Sequence, residues 1–221
     1  MGDLPSDRHP FACERCGTCC IKGGPGLHDA DIRLVSETLI SPENLYTIRA
    51  GELVKDNING GLIYADGEII KICARPGSTA CVYFNGDENA CGIYDNRPSQ
   101  CRALQCRNTQ ALEDMQAKNR LKRGDLFGNV AWLWAFISDH EAECSYGKVR
   151  LLVAQREAGD PSASRMLAEM VSYDRAVRDL AVEKAGLGKS LLGLVFGLPL
   201  ETVLQDRFGI KVIKTINITD P

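Results

Sequence analysis

The chain has 221 residues, ten of them cysteine, and a formal net charge of -3. Hydrophobic content of 44% and charged content of 25% suit a globular protein with a real core, and set aside disorder, collagen and coiled coil. Acidic residues match or outnumber Lys and Arg in both halves, so a nucleic-acid partner is not expected.

The first residues carry no apolar signal segment. Next comes Cys13-Glu14-Arg15-Cys16-Gly17-Thr18-Cys19-Cys20, a C-x2-C-x2-C-C run. A two-residue gap lets the chain turn and point two thiolates at one metal, and Gly17 permits the left-handed backbone such a knuckle uses. Nine of the ten cysteines precede residue 107. Without a secretory signal the expected compartment is the reducing cytoplasm, where dense cysteine reads as metal binding or redox chemistry.

Gly23-Gly24-Pro25-Gly26 reads as the loop leaving the knuckle. A short helix is expected over 29–39, with His28 at its start. A second is expected after Ser41 and Pro42, ending before Gly51. Residues 62–65 and 68–72 suggest a hairpin turning at Asp66-Gly67. Cys73 reads either as a ligand at a strand end or as a small buried hydrophobe.

Cys81, Cys91 and Cys101 follow at ten-residue intervals, with Asn85-Gly86 marking a hairpin between the first two. Pro98 suits a helix start, which places Cys101 in the first turn. Cys106 would then point about 140° away on an ideal helix, and reaches the same site only if that helix breaks early. Arg97 and Arg102 flank Cys101; they either orient ligands or hold an anionic cofactor or substrate group.

Beyond this point the pattern turns helical. Helices are expected over 109–123, 125–141, 148–158, 160–185 and 199–208, followed by a strand over 210–218. Trp132 and Trp134 read as core, His140 as surface, and Cys144 as a cysteine without metal partners. The greasiest stretch, 190–200, is interrupted by Gly193, Gly197 and Pro199, so no membrane span is expected.

The C-x2-C-x2-C-C start, then Cys81-x-Tyr83, then Cys91-x-Ile93-Tyr94-x-x-Arg97-Pro98-x-x-Cys101-Arg102, resembles the CxxCxxCC cysteine-cluster (YkgJ-like) family over roughly residues 11–107. That family is described as zinc- or iron-chelating, and a flagellin lysine methylase carries a similar cluster. The resemblance implies Cys13, Cys16, Cys19, Cys20, Cys81, Cys91 and Cys101 as metal ligands. It departs after Arg102, where Cys106 appears as an additional candidate ligand.

The expectation is an α+β protein. A cysteine-rich metal-binding region of short hairpins and helices covers 1–108, and a mainly helical region with a C-terminal strand covers 109–221. Its partner is a metal ion or cluster. Four thiolates fit zinc, while the adjacency of Cys19 and Cys20, whose side chains should diverge, favours an iron–sulfur cluster of the [4Fe–4S] type. The metal's first role would be to organise the fold. Alternatives are a cluster-dependent enzyme acting on a protein substrate, a redox protein, and a metal chaperone or sensor.

Overall fold

The computed structural model describes Cys13 and residues 15–56, 60–106 and 108–212. The fold is α+β, and the chain forms two compact units that interleave in sequence. Unit 1 is Met1–Leu45 with Ile70–Leu121, and unit 2 is Tyr46–Ile69 with Lys122–Pro221. Among the described residues no helix is long and apolar enough to cross a membrane.

Unit 1 is built on antiparallel bridges. Leu27 N–H donates to Ile70 O at 2.8 Å, and Leu121 N–H donates to Leu27 O at 3.1 Å. Residues 26–28 therefore run between Lys71 on one side and Arg120 on the other. A 3-10 turn, Asp29–Asp31, opens α1, Ile32–Ser36, and Thr38 at φ 57° turns the chain out of it. The helix expected after Ser41 does not form. Pro42–Asn44 makes one 3-10 turn, and β1, Leu45–Ile48, follows. Its sequence, Leu-Tyr-Thr-Ile, is β-branched and aromatic, which suits an extended strand better than a helix.

β1 carries the chain into unit 2. There β2, Leu53–Lys55, pairs antiparallel with β3, Leu62–Tyr64, with Val54 opposite Ile63. The expected hairpin turning at Asp66-Gly67 is thus corrected: β3 pairs with the strand before it. Asp56 N–H bonds Gly61 O at 3.0 Å, and Gly60 and Gly61 sit at φ +77° and +79°, where side chains are disfavoured. β4, Ile69–Ile72, returns to unit 1. The unit continues with β5, Phe84–Asn85, β6, Ala90–Cys91, α2, Ser99–Ala103, and α3, Gln110–Met115. The helix expected to reach 123 stops at Met115, and Asn119 takes φ 49°.

Unit 2 is helical from α4, Arg123–Phe127, onward. α5 is Ala131–Glu143, α6 Tyr146–Glu157, α7 Pro161–Glu183, α8 Leu192–Phe196 and α9 Leu200–Phe208. The caps explain the boundaries. Asp160 accepts from Ser162 N–H at 2.8 Å with Pro161 in the first turn, and Gly209 closes α9 at φ +65°. Residues 210–212 form no strand, and the rest of the strand expected over 210–218 lies outside the described residues. One cluster packs Val149, Leu152, Leu167, Val171 and Leu204; another packs Leu133, Ile137, Val195 and Phe196.

Two sequence readings on α5 reverse. Trp132 and Trp134 are 46% and 39% exposed, whereas His140 is fully buried. The inward stripe is Leu133, Ile137 and His140, spaced four and three, so the tryptophans on either side of Leu133 face outward. His140 donates from Nε2 to Asp174 Oδ1 at 2.7 Å and accepts at Nδ1 from Arg49 Nη1 at 2.9 Å. Arg can only donate, so the imidazole proton sits on Nε2. Asp174 also receives Arg178 Nε at 2.9 Å and Leu200 N–H at 3.0 Å.

Burial first, then the Arg49 and Arg178 charges, hold His140 below the ordinary histidine range against the pull of Asp174. The unfolded chain therefore binds a proton at His140 below about pH 6.5 that the folded chain refuses. Stability conferred at higher pH should fall as pH drops through that value. Buried Glu52, whose carboxyl burial pushes up, works in the opposite sense on further acidification. Urea unfolding at pH 7.5 and 5.5 should show a drop in wild type that His140→Gln lacks; equal drops in both would remove His140 as the cause.

Candidate metal centre

The knuckle turns at Gly17, φ +74°, and Ile21 N–H closes it on Gly17 O at 3.0 Å. A Cβ at Gly17 would lie 2.7 Å from the Phe84 ring and 2.5 Å from Asn89 Oδ1. Gly17→Ala therefore adds both left-handed strain and a clash, and should cost more than about 1 kcal/mol. Thermal melting checks this, with Gly77→Ala, also at positive φ but with open space around it, separating strain from clash.

Backbone pairing brings the next cysteines to the knuckle. Cys81 N–H donates to Cys20 O at 2.8 Å, and Val82 N–H donates to Cys73 O at 3.0 Å. The β5–β6 hairpin sets Cys91 opposite Phe84, the ring that packs on Gly17. Cys101 rides on α2, whose start is held from a distance. Buried Asp31 accepts from Ser99 N–H at 2.8 Å and Ser99 Oγ at 2.7 Å. Gln100 Oε1 receives Gly26 N–H at 2.8 Å, and its amide nitrogen meets His28 Nε2 at 3.1 Å. The other His28 nitrogen bonds Lys118 O at 2.8 Å, so both ring nitrogens are engaged in holding the scaffold.

The electrostatics place five thiols within one another's fields. Burial, then Cys19, Cys91 and Cys81, pushes the Cys20 thiol up to about 12. Burial, then Cys81, Cys19, Cys20 and Cys91, pushes Cys101 up as well. Cys81 is raised by burial and by Cys91 and Cys19, against Tyr83 N–H and the Arg75 charge. Cys73 is raised by burial and then by Cys81, which sets it beside this group. Negative charges crowded in this way repel, so a metal cation among them would favour the deprotonated forms.

Cys19 Sγ and Cys20 Sγ stand 3.9 Å apart. The expectation that these adjacent side chains diverge is therefore corrected. Two sulfurs on one tetrahedral zinc, each bonded at ~2.3 Å, are separated by ~3.8 Å. Among the described residues, no three Cys, His, Asp or Glu side chains as placed form a group that could hold one ion. The donor set is nonetheless soft, thiol-only and partly buried, which fits a thiolate metal.

The other predicted residues lie around this set. Cys13 Sγ accepts from Arg15 N–H at 3.4 Å. Exposed Cys16 donates from Sγ to the Thr18 hydroxyl at 3.3 Å. The Thr18 side chain first, with further help from Thr18 N–H and Cys106, holds the Cys16 thiol below the ordinary range. α2 ends at Ala103, so Cys106 lies past the break. Arg97 stacks on Tyr94, 3.7 Å from the ring centre, with Arg15 near the same ring at 4.3 Å. Arg102 reaches Asp31 at 3.7 Å and Ser99 Oγ at 3.4 Å. Cys144 is in unit 2, its Sγ 3.7 Å from Met170 O, and burial pushes it up to about 12. Asp31 and Thr18 carry no sequence signal as supports, whereas Gln100 lies inside the Arg97–Cys101 motif.

A knuckle, a hairpin and a short helix thus bring a thiol-rich set of side chains into one unit. Residues 12–120 match the model of the CxxCxxCC family, described as "Putative zinc- or iron-chelating domain". No curated protein and no solved structure matches the chain.

Proposed function

We propose that Cys19, Cys20, Cys81, Cys91 and Cys101 hold a thiolate-bound metal whose first role is to organise the short elements around it. One observation carries this reading: burial first, and then neighbouring thiols of this set, strengthen the hold of Cys20, Cys81 and Cys101 on their protons, and a bound cation would relieve the repulsion among the thiolates. The metal would supply the positive charge and the bonds that link knuckle, hairpin and α2. The 3.9 Å separation of Cys19 and Cys20 favours a single tetrahedral zinc over a cluster. An iron–sulfur cluster is the second reading, favoured by a fifth thiol that one tetrahedral ion does not need. Arg102, through Asp31 and Ser99, acts as a positioning residue for the helix that carries Cys101. Such a site calls for a reducing compartment, in keeping with a cytoplasmic protein.

Metal analysis of protein made with ample iron and zinc, alongside its visible spectrum, separates the readings. A colourless chain with stoichiometric zinc is expected. Iron with sulfide-to-metal absorption would replace zinc by the cluster. Chelation should lower the melting temperature and change the circular dichroism; if both stay as they were after complete metal removal, the organising role is wrong.

A further inference from the structure

His28 belongs to a segment held on both sides by backbone bridges, Gly26 to Lys71 and His28 to Arg120. From this segment a directional chain of hydrogen bonds runs to α2. The buried Gly26 N–H can only donate, so the Gln100 amide oxygen faces it, at 2.8 Å. The Gln100 NH2 group is thereby turned towards His28 Nε2, at 3.1 Å, and that nitrogen must accept. Lys118 O can only accept, so the imidazole hydrogen sits on Nδ1, 2.8 Å away. Every partner therefore agrees with a neutral His28. If Nε2 gains a hydrogen, two donors face each other. Turning the amide relieves that contact but sets its NH2 group against Gly26 N–H. Either way α2 loses a tie to the segment that carries His28, leaving the contacts of Ser99 and Arg102 with Asp31.

The imidazole is 3% exposed, yet it lines an open groove of ≈ 460 Å³ with Ser99, Met115 and Asn119, which gives a proton a route to the ring. The charged groups around it are Asp29 and Asp31 on its own segment, Arg102 on α2 through Asp31, Asp114 on α3, and Lys118 and Arg120 after that helix. The carboxylates favour a charged ring and the cations oppose it. Among the described residues the hydrogen-bond partner of Nε2 is Gln100 in either case.

We propose that His28 and Gln100 form a proton-operated latch on the helix that carries Cys101, so that acidification loosens α2 and speeds loss of metal from the inner thiols. Neutral His28 closes the chain of hydrogen bonds, and protonated His28 opens it. Both are positioning residues, since they act on the site through α2. The metal loss rests on the preceding reading, whereas the latch itself does not. Gln100→Glu should cancel the effect, because a carboxylate accepts from Gly26 N–H and from a protonated His28 Nε2 together.

The full chain and its Gln100→Glu and His28→Gln variants are compared as purified at pH 7.5 and 5.5, across the range in which histidine side chains change charge. Zinc and iron are measured, and two rates are followed. One is metal release to excess strong chelator. The other is amide exchange over residues 99–104, corrected for the intrinsic effect of pH. Protonation of the thiolates and of His140 acts alike in all three proteins and cancels when the ratios of rates at the two pH values are compared. Both ratios in wild type should exceed those of either variant by about tenfold, the effect of one broken hydrogen bond whose donor stays buried. Equal ratios in all three proteins would overturn the latch, and so would an excess that persists in His28→Gln. A chain that binds no metal but keeps the wild-type excess in exchange would leave the latch standing and remove the inner-site reading.

Discussion

Cys81→Ser is expected to abolish stoichiometric metal binding and to unravel the elements around the inner thiols. Cys81 is the best-buried of the five, and its neighbours include Cys19, Cys20, Cys91 and Cys101. Its backbone also joins Cys20, and its neighbour Val82 joins Cys73. Groups that merely orient a metal ligand change affinity by about 10- to 100-fold when removed. Loss of a ligand should exceed that, raising the dissociation constant by more than about 100-fold, or ~2.7 kcal/mol. Competition against a chromogenic chelator gives the number. Cys144→Ala is the contrast, since that buried thiol lies in unit 2 beside Met170. It should leave metal content intact. Equal affinity in wild type and Cys81→Ser would remove Cys81 from the site.

Asp174→Ala should be the most damaging single change in unit 2. The carboxylate is buried in the middle of α7 and receives three donors, from His140, Arg178 and the Leu200 backbone. Burial works against its charge, but His140, Arg178 and Leu200 outweigh it and hold the carboxyl below the ordinary range. Arg178 would keep its bonds to the carbonyls of Phe196, Gly197 and Leu198 but lose its counter-charge in a buried setting. Breaking one side of a buried pair costs about 3–5 kcal/mol. On the same helix, Glu169→Ala breaks an exposed pair with Arg165 and should cost less than about 1 kcal/mol. Urea titrations of both variants test the contrast; comparable losses would show that the Asp174 junction is not a stabilising hub.

The sequence made the later helices readable because their ends carry strong local chemistry. Asp160-Pro161 opens α7 and Gly209 closes α9 as expected. The Asn85-Gly86 turn likewise foretold the β5–β6 hairpin. The residues 42–50 failed because a good cap and an N-terminal proline competed with a β-branched, aromatic run, and the run prevailed. His140 looked like surface because Asp139 and Glu141 flank it, although the four-then-three spacing from Leu133 and Ile137 already pointed inward. In the candidate site, the C-x2-C-x2-C-C run and the later cysteines announced thiolate chemistry. The approach of Cys19 to Cys20 and the distant capping of α2 by Asp31 depend on backbone turns and long-range contacts that spacing alone does not encode.

The interleaving of the two units has a consequence for biosynthesis. Cys20 leaves the ribosome 81 positions ahead of Cys101, and between them passes a stretch, Tyr46–Ile69, some of whose partners emerge only with the helices after Lys122. Thr47, for example, waits for the carbonyl of Leu194. Unit 1, with nine of the ten cysteines, is complete once Leu121 has emerged, whereas unit 2 must hold its early segment in waiting until the later helices are made.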